Sequence, residues 1–186
     1  MKKLLVILSL VTSFTGLYAD NLLTNPSFET AGDSPDVALG WLRWGDWMNR
    51  ESEWTPTHSG KCLIGYHHWQ ITTADNSGLW QNISNAKAGQ KFKFSVFVYI
   101  DPPNGSDNPP QKIELRLEAT RDGQQVAIHS ETFKLEDIPK DSNWHELSVT
   151  GTTPVNNLRV LIIVTPAAKA PRGGAVKFDD ASVELQ

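Results

Sequence analysis

The sequence predicts an all-β fold, an antiparallel β-sandwich. Helical periodicity is almost absent, whereas short runs with apolar residues at every second position recur along the chain. Residues typical of turns, namely Gly, Pro, Asn and Asp, separate these runs. Many short strands joined by such turns are typical of two antiparallel sheets packed face to face.

Nine strands are predicted from these runs. Their ranges are 21–24, 61–66, 78–83, 91–100, 112–120, 125–133, 144–151, 158–165 and 175–185. The dipeptide Asp122-Gly123 predicts a tight hairpin turn between two of them. The Pro- and Gly-rich stretches 101–110 and 166–174 predict surface loops.

Alternation within two of the strands separates core from surface, because successive side chains of a strand face opposite sides of the sheet. In 91–100, Phe97 and Tyr99 lie opposite the apolar set Phe94, Val96, Val98 and Ile100. In 112–120, Arg116 and Glu118 lie opposite the set Ile113, Leu115, Leu117 and Ala119. We expect Phe97, Tyr99, Arg116 and Glu118 to share one solvent-accessible sheet face, a mixture of aromatic and charged groups that suits a sugar.

The first residues predict a signal peptide over 1–19. Lys2 and Lys3 precede the apolar run 4–11, and Ala19 is a small residue at which a signal peptidase would cut. The run is shorter than the ~20 residues of a membrane-spanning helix. We therefore expect a secreted or periplasmic protein exported by a Sec-type route, with 20–186 forming a single domain.

Charge and cysteine content exclude several classes of protein. Removal of the two signal lysines takes the net charge from −4 to −6. An acidic chain without a basic cluster argues against binding to nucleic acid, and also disfavours anionic membranes and strongly acidic glycans. The lone Cys62 follows no lipoprotein pattern, cannot form an internal disulfide and is expected to be a small buried side chain.

Tryptophan is unusually frequent for one domain, at seven residues. Sugar rings stack their C–H faces on indole rings, while polar side chains bind their hydroxyl groups. Trp41 and Trp144 are predicted to belong to the core. The others stand among polar neighbours and are candidates for ligand contact: Trp44, Trp47, Trp54, Trp69 and Trp80.

Several segments together resemble the carbohydrate-binding modules of families four, nine and twenty-two, which share a galactose-binding-like jelly roll. The segments are Asn-Pro-Ser-Phe-Glu at 25–29, Gly-Trp at 40–41, His-Ser-Gly-Lys at 58–61, Leu-Trp-Gln-Asn-Ile at 79–83, Ala-Gly-Gln-Lys-Phe-Lys-Phe-Ser at 88–95, Trp-His-Glu-Leu at 144–147 and Phe-Asp-Asp at 178–180. They span almost the whole chain after residue 19. They are more specific to the fold than to a ligand, because one fold hosts many functions.

The resemblance implies a structural calcium between the first strand region and the last strand. Glu29 and Asp179 would supply carboxylates, and backbone oxygens near Ser27 and Lys61 would complete an all-oxygen site. His58 stands where some family members have an acidic ligand. The alternative is that Glu29 and Asp179 instead accept hydrogen bonds from backbone N–H groups or are solvated.

The resemblance also implies a sugar cleft on the concave sheet. The matching positions are Gln81, Phe97, Tyr99, Arg116 and Glu118, with Trp69 in a loosely aligned segment. The predicted function is a secreted, non-catalytic protein that binds a neutral or weakly charged poly- or oligosaccharide. Such modules usually accompany an enzyme, so a separate carbohydrate-active enzyme or an envelope component is the expected partner.

Two other classes of function remain open. A jelly-roll polysaccharide lyase would use residues of the set Tyr66, His67, His68, Gln81, Tyr99 and Arg116, although no lyase strand motif is recognisable. A hydrolase needs two carboxylates across a cleft, for which Glu114 or Glu118 would pair with Asp101. An envelope or adhesive protein would use the same fold for protein contacts, through a large apolar patch.

Overall fold

A computed structural model of the protein describes residues 20–67, 76–100, 112–166 and 176–186. These residues form ten strands and one turn of 3-10 helix, Leu135–Asp137. The strands are β1 Leu42–Trp44, β2 Met48–Glu51, β3 Leu63–Tyr66, β4 Ser77–Ile83, β5 Lys91–Ile100, β6 Lys112–Arg121, β7 Gln124–Lys134, β8 His145–Thr152, β9 Leu158–Thr165 and β10 Val176–Leu185. Eight of the nine predicted strands are confirmed, with ends within two residues of those predicted.

The strands form two five-stranded antiparallel sheets. Sheet 1 has the order β1-β4-β9-β6-β7, and sheet 2 has the order β2-β3-β10-β5-β8. The predicted antiparallel β-sandwich is therefore confirmed. The hairpin predicted at Asp122-Gly123 joins β6 to β7, and both residues have the positive φ that a tight turn of this kind needs.

The core lies between the inner faces of the two sheets. Val96 and Val98 of β5 and Leu115 and Leu117 of β6 belong to it and are completely buried. Burying one such side chain contributes about 1.5 to 3 kcal/mol. The alternation predicted for both strands is confirmed, since the apolar set of each strand points inwards.

The outer residues of β5 and β6 do not share a face. β5 belongs to sheet 2 and β6 to sheet 1, so Phe97 and Tyr99 lie on one outer surface of the sandwich and Arg116 and Glu118 lie on the other. The expectation of one common face is wrong. Period-two alternation shows which side of a strand faces the core, but not to which of two sheets the strand belongs.

Residues 52–61, here named the strap, cross the outer face of sheet 2. The Trp54 ring lies against Gly65 of β3, where a Cβ would come within 2.6 Å of it. Farther along the strap, the His58 ring stacks on Phe97 at 3.8 Å between ring centroids. Sheet 2 is thus covered by the protein's own chain on the side away from the core.

The beginning of the described chain runs beside its end. The backbone N–H of Leu22 donates to Val183 at 2.9 Å, and that of Ala181 donates to Pro26 at 2.9 Å. The Asn21 side chain adds bonds to β10 at Ala181 and Val183. The predicted strand 21–24 is therefore wrong as a regular strand, but its position next to the last strand agrees with the closeness of these two regions that the resemblance implies.

Sequence reasoning missed β1 and β2. Each is short, at three and four residues, and they flank a turn at Gly45 and Asp46. β1 extends sheet 1 beside β4, while β2 extends sheet 2 beside β3.

In the described parts of the chain, no helix is long and apolar enough to cross a membrane.

Candidate functional site

The outer face of sheet 1, here named the platform, carries aromatic and charged side chains in rows that cross the strands. The register places Leu42, Trp80, Leu161 and Arg116 side by side in one row. The neighbouring row consists of Trp44, Gly78, Ile163 and Glu114. A third row on the other side contains Asn82, Arg159 and Glu118. The two tryptophans therefore lie on β1 and β4, and the charged side chains lie on the neighbouring strands β9 and β6 of the same face.

Trp44 lies on the sheet surface because Gly78 has no side chain. A Cβ at Gly78 would collide with the Trp44 six-membered ring. The indole occupies this space and remains half-buried. A glycine within a strand often marks such a close approach. Ile163, which points away from the core, is only 3% exposed next to this ring.

Trp80 stands next to Arg159. The Arg159 guanidinium carbon is 4.9 Å from the centroid of the Trp80 ring, within cation–π range. Leu161, in the same row as Trp80, points to the platform and yet is almost completely buried. The platform thus contains buried apolar side chains, Leu161 and Ile163, beside the two indole rings.

Four charged side chains of the platform, Arg116, Arg159, Glu114 and Glu118, form one continuous network. Arg159 Nε donates to Glu118 Oε2 at 2.6 Å, and Arg116 Nη1 donates to Glu118 Oε1 at 3.0 Å. Arg116 Nε also donates to Glu114 Oε1 at 2.7 Å. The bonds from Glu114 and Glu118 raise the pKa of Arg116 above its usual range. The two positive and two negative charges of this network cancel, so the network is neutral as well as polar.

Gln81 does not lie on the platform. Its side chain points inwards, is 5% exposed, and bonds both backbone groups of Thr24: Nε2 donates to the carbonyl at 2.9 Å, and Oε1 accepts from the N–H at 2.7 Å. Gln81 therefore fixes the N-terminal segment to β4. Its expected place on the ligand face is wrong, because Trp80 and Gln81 are consecutive in a strand and face opposite sides.

Trp47 does not lie on the platform either. Trp47 is partly buried and packs against the core. Trp69 and His68 lie outside the described residues. Trp54 belongs to the strap over sheet 2, and its ring meets His67 edge-on. Of the four candidate tryptophans that the structure describes, Trp44 and Trp80 are the two that lie together on one sheet face.

Phe97 and Tyr99 belong to an aromatic cluster under and beside the strap. Trp144 lies 5.5 Å from Tyr99 and 5.6 Å from His58, between ring centroids. Lys177 Nζ sits 4.9 Å from the centroid of the Tyr99 ring. The rings contact one another and the strap, so this face of sheet 2 is filled by the protein itself. The predicted core position of Trp144 is wrong, since it lies half-buried on this outer face.

Glu29 and Asp179 converge on the end of the strap, as expected from their places near the two chain ends. Glu29 Oε1 accepts bonds from the backbone N–H groups of Lys61 and Cys62, both at 2.8 Å. Asp179 Oδ2 accepts from His58 at 2.9 Å and Ser59 at 3.1 Å. The carboxylates thus tie both ends of the chain to one turn.

Asp179 is a completely buried carboxylate. Burial raises its pKa to about 6, although the backbone N–H groups of Ser59, Asp180 and His58 counteract this rise. Placing a negative charge in such a site is unfavourable unless a cation or further donors balance it. This is the environment in which a bound cation would be stabilising.

The fit of these groups to calcium is partial. Two carboxylates are present, as calcium prefers, but in the described ranges no three His, Cys, Asp or Glu side chains are grouped to hold a metal. A calcium here would need backbone oxygens, such as those the resemblance assigns near Ser27 and Lys61. His58, at the position of an acidic ligand in some modules, bonds Asp180 at 2.6 Å instead.

Among the described residues considered for a lyase, Tyr66, Tyr99 and Arg116 are not brought together. Tyr66 is completely buried in the core, Tyr99 lies on the outer side of sheet 2, and Arg116 lies on the outer side of sheet 1. His68 and Asp101 lie outside the described residues. The other two carboxylates considered for hydrolysis, Glu114 and Glu118, are ion-paired with Arg116.

Sequence reasoning missed Arg159, Leu42 and Gly78 as parts of the platform. Arg159 stands in an apolar run, and its isolated charge at an outward position of the predicted strand 158–165 was the available signal. Leu42 is 53% exposed beside Trp80. Their importance depends on which strands are neighbours, and that follows only from the sheet order.

Known structures share this fold. They include a family 61 carbohydrate-binding module in complex with β-1,4-galactotriose, with a TM-score of 0.62 and 16% identity over 90% of this chain and 100% of that chain. A family 22 xylan-binding domain from Paenibacillus barcinonensis has a TM-score of 0.53 and 18% identity over 90% and 95% of the two chains. A cyclase from Fischerella sp. TAU has a TM-score of 0.63 and 15% identity over 91% and 98%.

These similarities show the fold. The protein is a jelly-roll β-sandwich of the kind found in carbohydrate-binding modules, and the cyclase shows that the fold also serves enzymes. Neither a protein-family model nor a curated protein matches the sequence. The neighbours include modules of families 61, 22 and 16, so the narrower assignment to families four, nine and twenty-two is not confirmed.

Proposed function

We propose that the protein binds a neutral or weakly charged poly- or oligosaccharide on the platform and does not cleave it. The observation that carries this proposal is that Trp44 and Trp80 share one sheet face with Arg116 and Glu114, within a neutral network that Arg159 and Glu118 complete. Indole rings provide surfaces on which sugar rings stack, and the guanidinium and carboxylate groups provide partners for hydroxyl groups. The fold of the similar carbohydrate-binding modules supports the same function.

Substituting the platform tryptophans tests this proposal. Trp44→Ala and Trp80→Ala should each weaken glycan binding ten-fold or more, which is about 1.4 kcal/mol. Trp54→Ala is the matched control, because it removes the same side chain from the opposite face and should leave the affinity within two-fold. Affinity electrophoresis against β-glucan, xylan and galactan identifies the ligand, and titration calorimetry measures the dissociation constant.

Product assays separate binding from catalysis. Incubation with the retained glycan should release no reducing ends and no unsaturated products that absorb in the ultraviolet. Release of either product would favour the enzyme. If none of the glycans is retained by the wild-type protein, the protein-contact function is favoured instead.

We also propose a structural calcium at Glu29 and Asp179, with backbone oxygens near Ser27 and Lys61. A cation that binds only the folded protein adds about 2.7 kcal/mol at a hundredfold excess over its dissociation constant. Calcium should therefore raise the melting temperature relative to a chelator, and Asp179→Asn should abolish the increase. Identical wild-type melting curves in calcium and chelator would contradict this site.

Export by the segment 1–19 completes the proposal. The mature protein would then meet glycans outside the cytoplasm, alone or beside a carbohydrate-active enzyme or envelope component. Cell fractionation with N-terminal sequencing of the purified protein tests it, and the expected new N-terminus is near Asp20.

A further inference from the structure

We propose that Arg159 is a positioning residue of the platform, which holds Trp80 and, through Glu118, Arg116 in the orientations that a glycan meets. The inference rests on the proposed function and deepens it. It distinguishes residues that contact the ligand from residues that orient those contacts.

Arg159 contacts two other platform side chains at once. Its Nε and Nη2 are 2.6 and 2.5 Å from the same carboxylate oxygen of Glu118, Oε2. Its guanidinium carbon lies 4.9 Å from the Trp80 ring centroid. A planar guanidinium fixed by a fork of hydrogen bonds has a defined orientation, so the indole that packs against it is oriented as well.

Glu118 connects Arg159 to Arg116. Its second oxygen, Oε1, accepts from Arg116 Nη1 at 3.0 Å. The Glu118 side chain is 6% exposed and that of Arg159 is 20% exposed, whereas Arg116 is 30% exposed. The most accessible charge is therefore Arg116, and the two beneath it have their hydrogen-bonding groups directed at each other. Glu118 is accordingly a second positioning residue and not a direct ligand contact.

Orientation before binding affects affinity. A side chain that is free to change rotamer in the unbound protein loses that freedom when the ligand arrives, which weakens binding. Because Arg159 and Glu118 hold Trp80 and Arg116 in the ligand-free protein, the loss has already occurred on folding. Removing Arg159 should thus weaken binding without removing any atom that touches the glycan.

A double-mutant cycle tests whether Arg159 acts through Trp80. Arg159→Met keeps an unbranched stem as far as the position of Nε but removes the guanidinium fork, and it should weaken binding five-fold or more in the wild-type background. In the Trp80→Ala background the same change should cost clearly less, because the group it orients is gone. Equal factors in both backgrounds would overturn the inference. Arg121→Met is the matched control, because Arg121 is an exposed arginine at the end of β6. This variant should change affinity less than two-fold.

Conservative variants separate orientation from charge and from folding. Arg159→Lys keeps the charge without the planar fork and should retain only part of the affinity, and Glu118→Gln should reduce binding while remaining folded. The melting temperature of each variant is measured alongside. If Arg159→Lys and Glu118→Gln both melt and bind like the wild type, the inference is also overturned.

A ligand-free measurement gives an independent readout. In protein labelled with 5-fluorotryptophan, the Trp80 resonance is assigned by its loss in Trp80→Phe. Arg159→Met should shift or broaden that resonance, and Arg121→Met should not. An unchanged Trp80 resonance in Arg159→Met contradicts the positioning role.

The outcomes distinguish this inference from the proposed function. If the wild-type protein binds a glycan and Arg159→Met binds it equally well, the inference fails and the function stands. If the wild-type protein retains no glycan, the proposed function fails, and a binding role for Arg159 fails with it.

Discussion

Gln81 and Trp80 are neighbours in the chain, yet they serve different purposes. Trp80 lies on the platform. The Gln81 side chain points into the sandwich and hydrogen-bonds to the backbone N–H and carbonyl of Thr24, as a neighbouring strand would. The residue types alone suggested a joint sugar contact, because both are common in such sites. The strand period separates them, and this separation follows from the sequence once 78–83 is accepted as a strand. The sequence does not show that Thr24 lies opposite Gln81.

Tyr66 differs from Gln81, because its buried polar group makes no hydrogen bond to the described residues. Its side chain is completely buried, and its hydroxyl has no hydrogen-bond partner among the described residues. Burial raises the pKa of Tyr66 above its usual range, because the phenolate is poorly solvated there. An unpaired buried hydroxyl is unfavourable, so it contributes little to stability.

We predict that Tyr66→Phe is as stable as the wild type at pH 8, or more stable by about 1 kcal/mol. The raised pKa stabilises the fold fully below pH ~10, the value in the unfolded chain, and this contribution is lost as the pH rises towards the folded-state value. The phenylalanine variant lacks that loss. Its advantage should therefore grow by about 1 kcal/mol between pH 10 and 11. Denaturant unfolding at each pH measures it, and an advantage that stays constant would refute the burial of an ionisable hydroxyl.

At the scale of elements, strand positions were predictable and sheet membership was not. The long strands β5 and β9 match their predicted ranges because local alternation and turn residues define them. Whether β5 and β6 are neighbours depends on contacts far apart in sequence. Alternation does not encode these contacts, so Phe97 and Arg116 were assigned to one surface although they lie on two.

The strap depends on one glycine. Gly60 has φ +55°, and a Cβ there would collide with the Glu29 carboxylate. We predict that Gly60→Ala destabilises the protein by about 1 to 3 kcal/mol, from backbone strain and from displacement of Glu29 from the N–H groups of Lys61 and Cys62. Chemical denaturation measures the change.

Two comparisons bound this prediction. Gly123→Ala also has a positive φ but meets nothing within 4 Å, so it should cost less than Gly60→Ala and report the backbone effect alone. Glycan affinity should stay unchanged in Gly60→Ala, because the strap lies over sheet 2. A large loss of affinity would place the ligand on the strap side of the sandwich.

For the whole molecule, the fold class and the meeting of the chain ends were predictable from the sequence. The sandwich follows from the number and pattern of strands, and the convergence of Glu29 and Asp179 follows from terminal segments that share one sheet region. The composition of the platform was only partly predictable. Trp44, Trp80, Arg116 and Glu118 were identified by residue type, whereas Arg159 needed the strand order.

The balance of charge on the platform has a measurable effect. Each arginine there is paired with a glutamate, so a neutral glycan gains little from long-range attraction. We predict that the dissociation constant changes less than about two-fold between about 50 mM and 500 mM NaCl. Calorimetry over a salt series measures this. A steep loss of affinity with salt would instead indicate an anionic ligand that displaces the glutamates from Arg116 and Arg159.

The bonds between the N-terminal segment and β10 determine how the domain can be attached to something else. Asn21 and Leu22 bond to residues 181 and 183, so both ends of the described chain lie next to each other at sheet 2. The platform lies on the outer side of the other sheet. A tether at either end, or insertion of residues 20–186 into a loop of a host protein, would therefore attach the sandwich through sheet 2 and leave the sheet that carries the platform without a covalent attachment.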